Sequence, residues 1–305
     1  QIDFRVSTFP TVHGENIVLR VLDRQKGIVP IDELGLDDDV LMTLKLMVAR
    51  PEGLLLVTGP TGSGKTTTLY SLLNHLNTES VNIMTLEDPV EYPMGMIRQT
   101  SINEVARLDF ASGVRSILRQ DPDIILVGEI RDEDTASMAF RAAMTGHQVF
   151  STLHTNSSLG TLPRLLDMGI RPEILAGNII GIIAQRLIRK LRLDCREAYE
   201  PSELERRILG LDAAARGHTI FRVAEEFGHA PHQGYEGRTA LIEVLRFDRE
   251  IDELIAQNAK LKELTVAARR RGFQTLADVA IKRVLEGLTS LDEVSRVVDL
   301  TERLG

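Results

Sequence analysis

Gly59-Pro60-Thr61-Gly62-Ser63-Gly64-Lys65-Thr66 follows a short apolar run, Leu54-Leu55-Leu56-Val57, and opens a segment that reads as helix from 67 to about 77. Strand, glycine-rich loop and helix in that order is the context of a phosphate-binding P-loop. The glycines let backbone N–H groups turn inward around an anion, and the helix N-terminus adds its partial positive charge. Lys65 brings a point charge for β- and γ-phosphates, and the Thr66 hydroxyl is a ligand for Mg²⁺. This stretch predicts nucleotide binding and does not say what hydrolysis drives.

Working outward, the apolar runs 81–86, 124–127 and 148–153 read as strands, and 37–50, 109–120 and 134–145 as helices between them. Such alternation predicts an α/β fold with a parallel sheet. Ligands bind these sheets at the carboxyl ends of the strands. That edge collects the P-loop, Glu87, Glu129 and His154, each directly after an apolar run. The segment 4–22 reads as two strands around a turn, too little to be stable alone, and so as a fragment of a small N-terminal domain. Residues 25–30 read as a linker. From Arg171 onward the pattern turns helical: one helix from Pro172 to about 190, another over 201–209, and closing helices over 248–257, 261–271, 276–286 and 290–298. Residues 219–223 and 238–245 read as a strand pair around a loop.

At 305 residues the chain is comfortable for two domains, and 43% hydrophobic with 26% charged residues is an ordinary globular composition. The most apolar stretch, 174–188, is broken by Gly177, Asn178, Gly181, Gln185 and Arg186, so no membrane span is predicted. The first residues do not read as a signal peptide. A single cysteine, Cys195, leaves no intramolecular disulfide and suits a reducing compartment. A net charge of −8 and only 4% aromatic residues argue against a nucleic-acid partner.

Hydrolysing a phosphoanhydride requires an oriented in-line water and a held Mg²⁺. Glu129, at the tip of a strand expected beside the P-loop, is the candidate to activate or position that water. The common pattern ends the strand in Asp-Glu; with Gly128 in the penultimate place, Glu129 is left with both roles, the Mg²⁺ one through water. Glu87 and Asp88 add carboxylates, one for water or metal and the other for an arginine. His154 is placed to sense the γ-phosphate, whereas His147 begins its strand, at the wrong end for contact. Arg5, Arg20, Arg98, Arg115 and Arg119 are candidate donors to developing phosphoryl charge. Cys195 with the scattered His218, His229 and His232 is a poor match to structural zinc.

Several runs resemble the secretion ATPase superfamily. Gly59 to Thr66, with Thr67 after it, resembles its P-loop. Thr85-Leu86-Glu87-Asp88-Pro89-Val90-Glu91-Tyr92 resembles its Asp box, and Leu126-Val127-Gly128-Glu129-Ile130-Arg131-Asp132 its Walker B box, glycine included. Gly146-His147 through Ser151-Thr152-Leu153-His154-Thr155-Asn156 resembles its His box; Leu118-Arg119-Gln120-Asp121-Pro122-Asp123 and Gly234-Tyr235-Glu236-Gly237-Arg238-Thr239 also fit. The likeness is to the assembly ATPases of type II secretion and type IV pili, the GspE/PilB group. It implies a RecA-like P-loop NTPase core at 37–190, a remnant of a PAS-like N-terminal domain at 1–25, a linker at 26–36, a former zinc-insert region at 191–237 and a C-terminal strand and helical subdomain at 238–305. It also implies ATP and Mg²⁺, a homo-hexamer, and Arg5 and Arg20 reaching phosphate at a subunit junction. The implied partners are an inner-membrane platform protein and cytoplasmic arm proteins, with the chain at the cytoplasmic face of that membrane. A retraction or conjugation-type motor, or a nucleotide-gated scaffold with little turnover, are the alternatives. The family's tetracysteine zinc insert is reduced here to Cys195, so zinc is not expected, and packing of Leu193, Tyr199, Ile220 and Phe221 is expected to hold the region instead.

Overall fold

An antiparallel ribbon begins the computed structural model, which describes residues 2–23, 28–103, 105, 108–211, 217–227 and 234–304. Strand β1 (Ile2–Thr11) pairs with β2 (Gly14–Asp23), and the register sets Arg5 opposite Arg20. Phe4, Val6, Phe9, Val18 and Leu19 are all more than half exposed. His229 and His232, and residues 25–27 of the expected linker, lie outside the described residues.

The alternating region follows. Helix α1 (Asp38–Val48) precedes β3 (Gly53–Thr58), and α2 (Lys65–Leu76) starts inside the P-loop motif. Then come β4 (Ile83–Glu87), β5 (Arg98–Ser101), α3 (Phe110–Ile117), β6 (Ile124–Val127), α4 (Glu133–Met144) and β7 (Gln148–Leu153). Asp109 caps α3 by accepting from the Ser112 N–H at 2.7 Å, with the Ser112 hydroxyl returning to the Asp109 N–H. Helices α5 (Thr161–Asp167) and α6 (Pro172–Leu175) lead to β8 (Ile179–Leu191). Strand β9 (Arg196–Tyr199), α7 (Glu203–Leu209), β10 (Ile220–Val223) and β11 (Tyr235–Arg246) precede α8 (Arg249–Ala256), α9 (Leu261–Arg270), α10 (Leu276–Leu285) and α11 (Leu291–Ser295).

Seven strands form one sheet in the order β11-β8-β3-β7-β6-β4-β5, with β11 antiparallel to β8 and the other pairings parallel. Every residue of β3 is buried because alternate side chains feed both faces. Leu54 and Leu56 join the layer under α3, α4, α8 and α9, while Leu55 and Val57 join the layer under α1 and α2. A third cluster packs α10 and α11 onto the ends of β8 and β11 through Ala184, Ile188 and Leu241.

Three expectations are corrected. The segment from Pro172 to about 190 is not one helix: α6 stops after a single turn, and β8 is an interior strand of the sheet, between β11 and β3. A strand buried on both faces has no alternation to give it away, and here five β-branched isoleucines (179, 180, 182, 183 and 188) decide the matter. Second, β10 does not pair with β11. It pairs with β9, while β11 lies along β8. Third, β6 does not stand beside the P-loop strand; β7 lies between them. Pattern gives strands, but lateral order comes from crossovers that no local pattern encodes.

In the 191–237 region, Ile220 is fully buried and Tyr199 packs against the cluster of α10 and α11, as expected, but Leu193 is 76% exposed, against expectation. The aromatic rings are also covered by guanidinium groups: Arg196 over Phe221 at 4.2 Å, Arg222 over Tyr199 at 4.8 Å and Arg189 over Tyr235 at 4.2 Å. Cys195 is buried and a free thiol. Among the described residues, no group of three or more His, Cys, Asp and Glu is arranged to hold a metal ion.

Candidate active site

The carboxyl ends of the parallel strands open onto a cleft of about 500 Å³, within the roughly 300–1,000 Å³ of small-molecule sites. Its walls include Gly62, Lys65 and Thr66 from the P-loop, Glu87 at the end of β4, Glu129 after β6 and His154 after β7. The ribbon reaches it through Val21, and β11 through Arg238.

The P-loop is built tightly against β8. Thr58, the last residue of β3, pairs with Ala184, so Gln185 and Arg186 run beneath the loop. At Gly59, with φ +148°, an added Cβ would lie 2.5 Å from the Gln185 carbonyl oxygen and 2.7 Å from Ser63 Oγ. Thr68 Oγ1 donates to Gln185 Oε1 at 2.7 Å, fixing α2 to the same strand. Among the described residues, no side chain caps the N-terminus of α2, which begins at Lys65. The Ser63 hydroxyl is buried without a hydrogen-bond partner among the described residues, and Lys65 Nζ donates to the carbonyls of Gly59 at 2.8 Å and Pro60 at 3.0 Å. An orphaned hydroxyl, an uncapped helix start and an ammonium turned onto its own loop fit an anion such as a nucleotide phosphate. Burial above all, and then the charge of Arg186, hold the Lys65 pKa below the usual lysine value, against the opposing pull of Glu129.

Glu129 is largely buried, its carboxylate bonded to the Arg131 guanidinium and 3.6 Å from His154 Nε2. Arg131 also reaches Asp88 at 3.5 Å, so Asp88 is the acid that pairs with an arginine. Glu87 is almost fully buried and holds donors on both oxygens. Thr85 Oγ1 donates at 2.6 Å and Gln99 Nε2 at 3.3 Å to Oε1, and the Tyr70 hydroxyl donates to Oε2. Burial and Glu87 together push the Tyr70 pKa well above its ordinary value, keeping the phenol protonated as a donor. Arg98 bonds Asn82 Oδ1 at 2.7 Å, and Arg119 the Arg115 carbonyl at 3.0 Å, both in exposed positions. His147 immediately precedes β7, its Nδ1 3.0 Å from the Ala142 carbonyl oxygen, at the end of that strand away from the cleft.

Gly128 explains the altered strand ending. A Cβ there would stand 3.0 Å from the Leu86 carbonyl oxygen, 3.2 Å from the Glu87 Cα and 3.3 Å from the Phe110 ring, because β6 ends pressed against β4. Any side chain there, the aspartate of the common pattern included, would press on backbone atoms of β4, which would have to give by a few tenths of an ångström. Gly128→Ala is expected to cost about 1–3 kcal/mol of stability, as overpacking does in a filled interior. Urea unfolding of the two proteins checks this, and an unchanged midpoint would refute the steric account.

Several residues at the site were not anticipated. Gln185 and Arg186 fell in the stretch read as helix; their signal was a polar pair following a buried apolar run, as at Glu129. No signal in the sequence links Tyr70 or Gln99 to Glu87.

The family model of type II/IV secretion system proteins matches residues 1–296. The chain belongs to that family. It is 46% identical over 297 residues to the type II secretion system protein E of Pseudomonas aeruginosa, covering 97% of this chain and 59% of that protein. It is 43% identical over 297 residues to the type IV pilus assembly ATPase PilB of Acinetobacter baylyi, covering 97% of this chain and 51% of that one. The chain thus spans little more than half the length of these curated relatives. Among solved structures, it resembles the crystal structure of the pilus retraction motor PilT with bound ADP at a TM-score of 0.71 and 32% identity, over 98% of this chain and 75% of that one. The type II/IV secretion family therefore accounts for the RecA-like α/β core. Among the described residues no helix is long and apolar enough to cross a membrane.

Proposed function

We propose that this chain is the motor region of an ATPase that couples Mg-ATP hydrolysis to pilin or pseudopilin assembly in type II secretion or type IV pilus biogenesis. The observation that carries the reading is the convergence of Lys65, Glu129 and His154 on one cleft beside an uncapped P-loop helix. Gly59 to Thr67 hold the phosphates. Thr66, and Glu129 through water, would hold Mg²⁺, which supplies charge neutralisation to the β- and γ-phosphate oxygens. Glu129 orients the attacking water and accepts its proton. His154, 3.6 Å from Glu129, reports the γ-phosphate to the loop that follows it. Glu87, held by three donors, shapes the wall rather than taking the proton. Arg5 and Arg20 complete the site of a neighbouring subunit in a homo-hexamer. Assembly is favoured over retraction because the relatives at 46% and 43% are a secretion protein E and an assembly ATPase, whereas the retraction motor stands at 32%.

In the same reading residues 1–25 belong to a PAS-like domain, 37–190 form the motor core, 238–305 form a C-terminal strand and helical subdomain, and the 191–237 region works without zinc. The partners are an inner-membrane platform protein and cytoplasmic arm proteins, met at the cytoplasmic face, with no nucleic acid involved. Purified protein is expected to turn over ATP only with Mg²⁺, without stimulation by DNA or RNA, and to capture the platform protein from its own host. Tight ATP binding without Mg²⁺-dependent turnover would make it a nucleotide-gated scaffold instead.

A further inference from the structure

The loop from His154 to Gly160, between β7 and α5, is gripped from two sides. On the P-loop side, Thr58 Oγ1 lies 3.0 Å from the Leu153 carbonyl oxygen and accepts from the Thr155 N–H at 2.8 Å, so both neighbours of His154 are clasped by the residue that precedes Gly59. On the other side stand two buried charged side chains. Glu243, on β11 and 2% exposed, accepts through Oε1 from the Ser158 N–H at 2.7 Å and the Ser158 hydroxyl at 2.5 Å. Its Oε2 accepts from the Leu276 N–H at 2.8 Å, the first residue of α10, where a helix start favours a negative charge. Arg186, on β8 and 7% exposed, donates to the Asn156 carbonyl at 2.9 Å and, through Nε, to the Val297 carbonyl at 3.3 Å just beyond α11.

Each buried charge therefore holds one residue of the His154 loop and one of the C-terminal helical segment. The two are of opposite sign and feel one another. The apolar cluster of α10 and α11 already fastens those helices to the sheet. Buried charges bring desolvation costs that apolar packing avoids, and their best-attested use is to specify one arrangement over another. We propose that Arg186 and Glu243 are a pair of positioning residues. They couple the position of α10 and α11 to the loop carrying His154, so that nucleotide state is read by the C-terminal helices. The proposal rests on the nucleotide-site reading above.

The test is hydrogen exchange of the whole chain with and without a non-hydrolysable ATP analogue and Mg²⁺, alongside analogue affinity, kcat and KM. Wild-type protein is expected to bind the analogue and to change its exchange over 276–298. Glu243→Gln keeps the acceptor for Ser158 but sets an NH₂ against the Leu276 N–H. It is expected to bind the analogue as wild type does, to lose the nucleotide-dependent part of that exchange, and to lower kcat about tenfold with KM unchanged. Arg186→Lys, which keeps the charge but not the fork, should lose part of the response. In the double variant the two losses should fall short of adding, as for residues on one path. Ser158→Ala removes only the hydroxyl partner and should show a partial loss, which keeps the test decisive if Glu243→Gln does not fold. Equal exchange rises in both nucleotide states with the difference preserved would mean a merely structural role and overturn the proposal. So would a wild-type kcat in Glu243→Gln. Failure of the wild-type chain itself to bind the analogue would overturn the nucleotide reading beneath it.

Discussion

Glu129→Gln is expected to lower ATP turnover by about 10²–10⁴-fold, the usual worth of a positioned acid–base group, while leaving Mg-ATP binding near wild type. The substitution keeps size and one acceptor oxygen for Arg131, so the local geometry has little reason to collapse. What it removes is the negative charge that faces Lys65 and the oxygen able to take a proton from water. Lys65→Ala separates the roles, since it deletes the cation of the phosphate loop and should weaken binding itself. A filter-binding or fluorescence titration beside a phosphate-release assay resolves the two. Near wild-type turnover in Glu129→Gln would remove the residue from the chemistry and leave it as a partner of Arg131.

The edge on which these groups meet was legible because a parallel sheet sends every strand end to one side, so an apolar run followed by a polar residue marks the site from sequence. The P-loop needed no more than its glycines and their flanks. The lateral position of β6 was not legible. Glu129 follows a strand two places from the P-loop strand and His154 follows the strand between, which is why His154 stands against Glu129. The hidden strand β8 cost more, since reading 172–190 as helix removed Gln185 and Arg186 from the site altogether. Contacts such as Tyr70 to Glu87, Ser158 to Glu243 and Arg186 to Val297 join residues far apart in the chain, where nothing in local pattern points from one to the other. The 191–237 region was half legible. The absence of a cysteine set was plain, but the arginine-over-ring contacts that hold Tyr199 and Phe221 depend on the β9–β10 pairing.

Arg5→Ala/Arg20→Ala subunits are expected to be nearly inactive alone and to recover activity when mixed with Glu129→Gln subunits. The reason lies in where the cations around the cleft are engaged. Arg131 is held by Glu129 and Asp88, and Arg186 faces backbone carbonyls beneath the loop. Lys65 is a single point charge, whereas a γ-phosphoryl group gathering charge on its equatorial oxygens calls for a planar, multidentate donor. The ribbon pairs Arg5 with Arg20 and reaches the cleft edge through Val21. An arginine delivered by a moving domain ties hydrolysis to motion, because closure brings the guanidinium to phosphate and product release lets it leave. Such donors are worth about 10³-fold or more in phosphoryl-transfer enzymes. Arg238, exposed on β11 and lining the same cleft, is the rival within one chain. If Arg238 carries the role, the Arg5→Ala/Arg20→Ala protein should stay active unmixed and Arg238→Ala should not. If the ribbon arginines act across a subunit boundary, exchange creates junctions that pair an intact Glu129 with intact arginines from the neighbour, and turnover returns in proportion to those junctions. Well-folded, co-assembling partners that show no recovery at any ratio would exclude a role in trans for Arg5 and Arg20.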